Sequence, residues 1–433
     1  MTSQDPNITE PVSTPITSSQ PSDSQHFDRS SSNDLSSNDL SSNDLSLAIA
    51  NFDSLSLEVA TLVDTALLAQ PTLPPIKQAY YKSSNEDFIV NEIMAVDFSD
   101  EGEHLWLHIQ KSGMNTAYIA KLLAEWADIP LRDVGYSGLK DRHALTTQWF
   151  SLRIPKKQLP ATDFAPSDLG DNETVEIIDQ RWHNKKLNRG AHRANEFVIT
   201  LRDIEFANDL QVTANHQLVE QQLKTIMSTG VPNYFGPQRF GRHASNIREA
   251  LRLFAQPIEK DKPSGKKSKR KRVPREQHTM ALSAARSVIF NEILNARVVD
   301  GSWNTGLAGE VFNLDGSGSI FSSEQLDDTL QARLDSGDIH PTAVMWGVNN
   351  DKVAGAAAQL ETEVVRKSAL LTVLATGLEH HEIKAQRRAL RLPIEALSWQ
   401  WLDEQSLVLR FSLTTGSFAT SVLASLTQVL KTA

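Results

Sequence analysis

Residues Gly135–Ser151 read GYSGLKDRHALTTQWFS, a glycine-containing turn that carries one aspartate, Asp141, and leads into an alternating segment. Gly135 and Gly138 tolerate backbone angles that other residues resist, so the turn is expected to be tight. The segment after it alternates in side-chain character with a period of two, which predicts a half-buried strand. One face of that strand would carry Gln148, Phe150, Leu152 and Ile154, and the other Trp149, Ser151 and Arg153.

Two cations flank the aspartate. Lys140 and Arg142 are expected to keep the carboxylate of Asp141 ionised through opposite-charge stabilisation. An ionised carboxylate is suited to the work of a nucleophile or a base rather than that of a general acid. From these residues alone, an exposed turn with a Lys-Asp-Arg charge cluster remains an open alternative.

Three further stretches accompany this one. They are KSSNEDFIVNE at 82–92, which is followed by EGEHLWLHIQKSGMNT at 101–116, then VPNYFGPQRFG at 231–241, and GSFATSVL at 416–423. With the pattern G-x-K-D-[RK]-x-A-x-T-x-Q in the first stretch, they resemble the TruD-type pseudouridine synthases, which isomerise uridine in tRNA. Four stretches in the same order argue against a chance match.

The resemblance implies a fold and a domain plan. It implies an α+β protein with the pseudouridine synthase fold, in which helices flank a mixed, mainly antiparallel sheet, plus an inserted α/β TRUD-type domain. Residues 76–258 and 391–433 are expected to form the two parts of the catalytic domain, and residues 259–390 the inserted domain. Side-chain periodicity also predicts helices after Asn115, over 210–229, over 280–298 and from about Ser417, a strand over 197–201, and a hairpin around 403–405.

The N-terminal residues differ in composition from the rest of the chain. Residues 1–75 contain ten acids and one base, and SSNDL occurs three times in tandem over 31–45. Such a sequence buries too little apolar surface to offset the entropy of ordering, so we expect residues 1–75 to form a disordered acidic extension. Within it, a helical pattern over 45–68 predicts a short helix that packs on the body or on a partner. The remaining residues are close to neutral, so an RNA-binding surface would depend on local clusters of cations.

Two basic clusters are present. One contains Arg181, Lys185, Lys186, Arg189 and Arg193, and its density of cations with few acids nearby predicts contacts with phosphates, although a solvated face is the alternative. The other covers residues 260–275 and contains nine bases and one acid, as expected for a solvated loop that attracts phosphates at long range.

The resemblance also assigns site residues. It implies that Asp141 is the catalytic aspartate and that Lys82 is the lysine paired with it. Phe88 and Phe235 would stack on the uracil, and Asn233 would bond a base edge or orient the aspartate. The substrate-binding candidates are completed by Lys140, Arg142, Lys185, Lys186, Arg189 and Asn195.

The function that follows is a tRNA pseudouridine synthase acting on uridine-13, the bacterial target of the family. The carboxylate could attack the base, attack the ribose C1′, or remove the 2′ proton in a glycal route, and all three routes stay open. An RNA-binding or RNA-chaperone protein on the same fold is the alternative function. The presence of Lys82, Asp141, Asn233 and Phe235 together favours the enzyme.

Other classes of protein lack support in the sequence. The chain contains no cysteine, which excludes disulfides and thiolate metal sites and fits a reducing cytoplasm. Neither a signal peptide nor an apolar run long enough to span a membrane is recognisable. His380 and His381 diverge by about 100° on a helix and are poorly placed to share one metal ion. We therefore expect a cytoplasmic, monomeric enzyme with tRNA as its partner and no metal, nucleotide or other cofactor.

Overall fold

The computed structural model describes residues 59–64, 68–256 and 275–432. The strands are β1 Ile76–Tyr81, β2 Phe88–Ile93, β3 His104–Ser112, β4 Val134–Tyr136, β5 Leu145–Arg153, β6 Thr174–His183, β7 Ala194–Phe206, β8 Val231–Pro232, β9 Val311–Leu314, β10 Ile320–Ser322, β11 Ile339–Met345, β12 Gln386–Ala389, β13 Arg391–Leu392, β14 Glu395–Trp401, β15 Leu407–Thr414 and β16 Thr427–Thr432. The helices are α1 Thr116–Trp126, α2 Val212–Thr229, α3 Ser245–Phe254, α4 Arg275–Val299, α5 Asp328–Asp335, α6 Gly355–Arg366, α7 Ala369–His380 and α8 Ala419–Ala424. The basic segment 260–274 and most of the N-terminal extension, residues 1–58 and 65–67, lie outside the described residues.

The larger sheet has the strand order β14-β15-β7-β2-β5-β3-β6. β4 pairs with β5, while β1 lies between β7 and β16. The β2–β5 and β1–β16 pairs are parallel and the other pairs are antiparallel. The predicted mixed, mainly antiparallel sheet with flanking helices is therefore confirmed.

Local sequence explains the ends of α1 and α2. The side chain of Asn115 accepts a hydrogen bond from the backbone N–H of Tyr118, which satisfies a donor that the first turn of α1 leaves free. α2 ends at Gly230, whose φ of 71° is readily adopted only by glycine. Both helices, the strand over 197–201, the C-terminal hairpin and the last helix were predicted from periodicity, and each is present with its boundaries shifted by a few residues.

β5 differs from its prediction because it is buried on both faces. Phe150 and Leu152 pack against α1, whereas Trp149 packs with Phe98 and Trp106 on the opposite face. Gln148 and Ser151, which made the strand look half-exposed, are hydrogen-bonded inside the protein. Ser151 Oγ, for example, accepts a hydrogen bond from the backbone N–H of Leu187.

A second core contains residues from Tyr234 to Leu390, including the buried faces of α3, α4 and α7 and the strand β11. The sheet β10-β9-β11-β12 lies in the same part of the chain. By contrast, the core on the β7–β15 side of the large sheet contains buried residues from 76–231 and 392–426. We therefore propose that the inserted unit begins near residue 233, rather than at residue 259 as expected, because α3 packs with α4 and α7.

The chain enters and leaves this second core at neighbouring points. β8 pairs with β13 in an antiparallel two-stranded sheet, with Val231 opposite Leu392 and Pro232 opposite Arg391. The backbone N–H of Asn233 then donates to the carbonyl of Leu390 at 2.8 Å. The two connections between the cores are thus hydrogen-bonded to each other.

Part of the predicted disordered extension is packed on the body. Val59 is 1% exposed and belongs to the second core. The Ala69 backbone N–H donates to Asn295 Oδ1 at 2.7 Å, and its carbonyl accepts from the Tyr234 hydroxyl at 3.1 Å. The expectation of disorder up to residue 75 therefore does not hold for residues 59–64 and 68–75. No helix among the described residues is long and apolar enough to cross a membrane.

Candidate active site

The loop that carries Asp141 joins β4 to β5. Neither glycine of the sequence motif has a positive φ, so the expectation that they supply unusual backbone angles is wrong. A Cβ on Gly135 would lie 2.4 Å from the carbonyl oxygen of Leu187, so this position requires glycine for close packing of two backbones. A Cβ on Gly138 would lie 3.3 Å from the ring of His192. Both glycines bring the loop against residues 187–192.

Asp141 and Lys82 are brought together across 59 residues of sequence. Lys82 Nζ donates to Asp141 Oδ2 at 2.9 Å. The lysine side chain is 17% exposed, whereas that of the aspartate is 60% exposed, so the carboxylate is accessible to a ligand. Lys82 also has a φ of 60°, a costly value for a side chain with a Cβ. The backbone is thus strained at the residue that follows β1, whose ammonium group contacts the carboxylate of Asp141.

Lys140 does not pair with Asp141, contrary to expectation. Its side chain is buried, and Nζ donates to Glu92 Oε2 at 3.1 Å and to Asn195 Oδ1 at 2.6 Å. The other oxygen of Glu92 accepts from the backbone N–H of Trp149 at 3.0 Å. A buried carboxylate needs a cation nearby, and Lys140 satisfies this need in the core. The pair therefore ties the aspartate loop to β2, β5 and β7.

Arg142 also points away from the carboxylate of Asp141. Its Nε donates to the carbonyl of Gly113 at 2.8 Å, and Nη2 donates to Glu173 Oε1 at 3.2 Å. The partners of Arg142 are therefore not the expected carboxylate of Asp141. Arg142 instead joins the loop to the residue that follows β3 and the residue that precedes β6.

Lys111 supports the aspartate loop from inside the protein. This residue is 0% exposed, and its Nζ donates to the carbonyls of Met114 at 2.6 Å and Asp141 at 2.9 Å. Burial lowers the pKa of Lys111 to about 8, although the charge of Asp141 acts in the opposite direction. Lys111 thus fixes the backbone at the residue whose carboxylate faces the cleft.

We expect Lys111 to give the folded protein a distinctive pH dependence. Its pKa lies below the value of about 10.4 for an exposed lysine, so the unfolded chain binds more protons between pH 8 and 10.4. The free energy of unfolding should therefore rise with pH across this window by about 3 kcal/mol through this group. Urea titrations of the wild type and Lys111→Met at several pH values measure the contribution as a difference. Parallel pH profiles of the wild type and Lys111→Met would contradict the expected contribution of Lys111.

The aspartate faces a cleft of 280 Å³. Aromatic, polar and backbone groups line it, and they are Tyr81, Lys82, Phe88, Val90, Leu139, Lys140, Asp141, His192, Asn195, Phe197, Gln238 and residues 415–420. Burial, and secondarily the charge of Asp141, raises the pKa of Tyr81, so its hydroxyl stays protonated and able to donate. The cleft thus combines one accessible carboxylate with aromatic walls and hydrogen-bonding groups.

Phe88 lies at the cleft in a layer of aromatic rings. It packs edge-to-face against Tyr81 at 5.9 Å and Phe197 at 6.2 Å between ring centroids. Lys82 Nζ lies 4.1 Å from its ring centroid, a cation–π distance. Phe88 therefore contacts the lysine that holds Asp141 as well as two neighbouring aromatic rings.

Asn233 and Phe235 do not line this cleft. Asn233 donates to the carbonyl of Ala389 at 2.8 Å and accepts from Arg388 Nη2 at 2.5 Å. Phe235 is buried beside Phe418, which does line the cleft, with 5.8 Å between their ring centroids. Both residues lie one layer behind the cleft wall, in the second core.

The basic cluster lies next to the base of the aspartate loop. Arg189 is exposed, donates to the hydroxyl of Tyr136 at 2.9 Å and lies 4.1 Å from its ring centroid. Lys186 donates to the carbonyl of Arg132, while Lys185 is exposed. Lys186, Arg189 and Tyr136 line a second cavity of 360 Å³. These cations are thus placed beside the loop but outside the cleft.

Several residues of the site were missed from the sequence. Tyr81, His192 and Phe418 line the cleft, and Lys111 and Glu92 hold the aspartate loop from inside the protein, but their burial cannot be read from their own neighbours in the chain. Glu92, Lys111 and Phe418 were partial exceptions, since they belong to the stretches over 82–92, 101–116 and 416–423 that carried the resemblance.

The fold is that of a solved structure. The crystal structure of a protein assigned as tRNA pseudouridine synthase D from Methanosarcina mazei aligns with 85% of this chain and 97% of its own length, with a TM-score of 0.60 and 20% identity. The mixed sheet of this chain, with the aspartate loop beside its aromatic cleft, thus has the fold of that structure.

The sequence comparisons are more specific. A family model described as tRNA pseudouridine synthase D (TruD) matches residues 77–250 and 243–426. The tRNA pseudouridine synthase D of Psychrobacter arcticus is 68% identical over 87% of this chain and 96% of the relative, and that of Xanthomonas euvesicatoria is 42% identical over 84% and 96%. The chain therefore belongs to the tRNA pseudouridine synthase D family.

Proposed function

We propose that this protein isomerises uridine to pseudouridine in tRNA, with uridine-13 as the target position and Asp141 as the catalytic carboxylate. The observation that carries the proposal is the accessible carboxylate of Asp141, held at 2.9 Å by Lys82 at the edge of an aromatic cleft. Family membership supports the substrate class. The target position rests on the resemblance noted in the sequence.

The reaction requires no net redox change. The N1–C1′ bond breaks, the uracil turns while it stays bound, and C5 bonds to C1′. C5 then loses its proton, and N1 gains one. A carboxylate is sufficient to start this sequence by attack on the base or on C1′, or by removal of the 2′ proton. The roles left to other groups are to retain the detached uracil and to orient it.

Lys82 is proposed to orient the carboxylate of Asp141. Its ammonium group contacts the carboxylate and the face of Phe88 at the same time, so the aromatic ring limits where the charge can lie. Asn195 and Lys140 are proposed to support the opposite wall through their mutual hydrogen bond. Phe88 would then orient Lys82 as well as border the uracil.

The proposal is tested by the release of tritium from tRNA labelled at uracil C5, combined with mapping of pseudouridine in tRNA from a strain that lacks the gene. We expect stoichiometric tritium release by the purified protein and loss of pseudouridine at position 13 in the strain. Tight tRNA binding without tritium release would instead favour an RNA-binding or RNA-chaperone function. Loss of pseudouridine at another position would contradict the assignment of uridine-13.

The basic cluster is proposed to bind tRNA phosphates. Replacing Lys185, Lys186 and Arg189 with alanine should weaken binding and reduce the slope of log K against log salt concentration by about 0.7–0.9 for each lost phosphate contact. The measurement is filter binding over a series of salt concentrations. A matched control replaces Lys77, Arg153 and Arg333, each of which has a carboxylate partner on the surface. Equal slopes in the wild type and the cluster variant would assign the cluster to a solvated face.

A further inference from the structure

Three arginines from distant parts of the chain lie in the second core, and two of them are next to residues of the cleft. Arg239 is in the stretch over 231–241 that also contains Phe235, Arg286 is in the middle of α4, and Arg388 is in β12. The guanidinium carbons of Arg239 and Arg388 lie 5.2 Å and 4.3 Å from the centroid of the same Phe235 ring. Two cations therefore share one aromatic ring in the core, which brings their charges close together.

These arginines have neutral hydrogen-bond partners. Arg239 Nε donates to Ser287 Oγ at 3.2 Å, and Arg286 donates to the carbonyl of Met345. Arg388 donates to Asn233 Oδ1 and more weakly to the carbonyl of Gly416 at 3.4 Å and 3.5 Å. Over the residues that the structure describes, none of the three forms an ion pair with a carboxylate, and the buried Nε of Arg388 has no hydrogen-bond partner.

Other buried arginines of this protein are treated differently. Arg297 pairs with Glu310 at 2.8 Å, and Arg387, the neighbour of Arg388, pairs with Glu361 at 2.8 Å. Both of those pairs join side chains that are less than a twentieth exposed. Arg297 and Arg387 thus have counter-charges, whereas Arg239, Arg286 and Arg388 share with Arg391, which donates to the carbonyls of Leu334 and Ser228, a surrounding of neutral acceptors.

The electrostatic consequence is unfavourable in the free protein. Burial lowers the pKa of all three guanidinium groups, and the charge of Arg239 lowers it further for Arg286 and Arg388. Arginine nevertheless keeps its charge in proteins. The cluster therefore holds positive charges that a bound anion would stabilise.

The position of the cluster identifies the anion. Gln238 and Gly416 line the cleft, and they are the chain neighbour of Arg239 and the carbonyl partner of Arg388. Phe235, under both guanidinium groups, packs on Phe418 of the cleft wall. A polyanion that placed one nucleoside in the cleft would therefore bring an adjoining phosphate near Arg239 and Arg388, and Arg286 is the chain neighbour of Ser287, the hydrogen-bond partner of Arg239.

We infer that Arg239, Arg286 and Arg388 form a phosphate-binding site for the RNA backbone next to the nucleoside in the cleft. The inference rests on the proposed function, because it takes the cleft to be the place of the target uridine. Guanidinium groups suit this task because their planar donors match the oxygens of a phosphodiester in pairs. This site lies in the second core, whereas Asp141 and Lys82 belong to the large sheet and its loops.

The test compares single charge-neutral variants of the full chain in tRNA binding. We expect Arg239→Gln and Arg286→Gln each to reduce the slope of log K against log salt concentration by about 0.7–0.9. The matched control is Arg153→Gln, which removes an exposed arginine paired with Glu103 and should leave the slope unchanged. Arg388→Lys keeps the positive charge but loses the planar set of guanidinium donors. This variant should therefore have a lower affinity for tRNA and an unchanged slope of log K against log salt concentration.

The outcomes separate this inference from the proposed function. Wild-type slopes in both Arg239→Gln and Arg286→Gln would overturn the phosphate site, even if the wild type releases tritium normally. Lower affinity with an unchanged slope in those two variants would also overturn it, since a purely structural role weakens binding without removing a phosphate contact. A wild type that binds tRNA without tritium release would refute the proposed function, while reduced slopes would still support the phosphate site.

Discussion

Asp141→Asn should lower the rate of tritium release from tRNA by several orders of magnitude. The amide keeps the size of the side chain but lacks the negative charge, and with it nearly all nucleophilicity and basicity. The ion pair with Lys82 would become a hydrogen bond from the ammonium group to a neutral amide oxygen. tRNA affinity should persist, because the phosphate-binding cations are unchanged and one negative charge near a polyanion is removed. Single-turnover tritium release and filter binding on the same tRNA measure the two quantities.

Asp338→Asn is the matched control for this experiment. Asp338 is also an exposed aspartate in an ion pair, with Arg333, and its side chain is 54% exposed against 60% for Asp141. It belongs to the second core's sheet region and should show wild-type tritium release. Near wild-type release by Asp141→Asn would remove Asp141 from the chemistry.

The second large effect is expected from the buried pair of Lys140 and Glu92. Lys140→Met leaves the carboxylate of Glu92 buried and without its cation, which should lower the free energy of unfolding by about 3–5 kcal/mol. The double variant Lys140→Met with Glu92→Gln removes the stranded charge and should recover part of the loss. Urea unfolding of the two single variants and the double variant gives the coupling between the residues.

A surface pair and the pH dependence provide the controls. Arg153→Met breaks an exposed ion pair and should cost at most about 1 kcal/mol. His192 Nδ1 lies 4.0 Å from Glu92 Oε2, and burial followed by the charge of Lys140 lowers the pKa of His192. Without Lys140 the histidine should protonate more easily and replace the lost cation, so the deficit of Lys140→Met should shrink as the pH falls. A loss below 1 kcal/mol at neutral pH would show that Glu92 is not electrostatically dependent on Lys140.

The sequence predicted the elements of the large sheet well because their patterns are local. Asn115 marked the start of α1, and Gly230 marked the end of α2. The prediction for β5 was only partly right. The strand lies in the middle of the sheet, and its buried polar residues give it the sequence pattern of a half-exposed strand. The inserted unit was predicted to begin at residue 259 because the charge-rich segment over 260–275 is conspicuous in sequence, whereas the change of core near residue 233, from which we propose an earlier start, is not.

The site was predicted in part for a similar reason. The pairing of Lys82 with Asp141 was predicted from the resemblance, and in the structure Lys82 Nζ contacts Asp141 Oδ2. The partners of Lys140 and Arg142 were wrong because neighbours in sequence were assumed to be partners in space. Arg239 and Arg388 were not found at all, since 149 positions separate them and the Phe235 ring between them becomes visible only in three dimensions.

The pairing of β8 with β13 has a consequence for how such a chain can diverge. The chain leaves the large sheet and returns to it at adjacent points. The register of that sheet therefore does not depend on the length of the segment between those points. Segments between residues 233 and 390 that lie away from the cleft can then change in length without shifting the strands that hold Asp141. The proposed phosphate site of Arg239, Arg286 and Arg388 and the loop of Asp141 are thus carried by parts of the chain that can diverge at different rates.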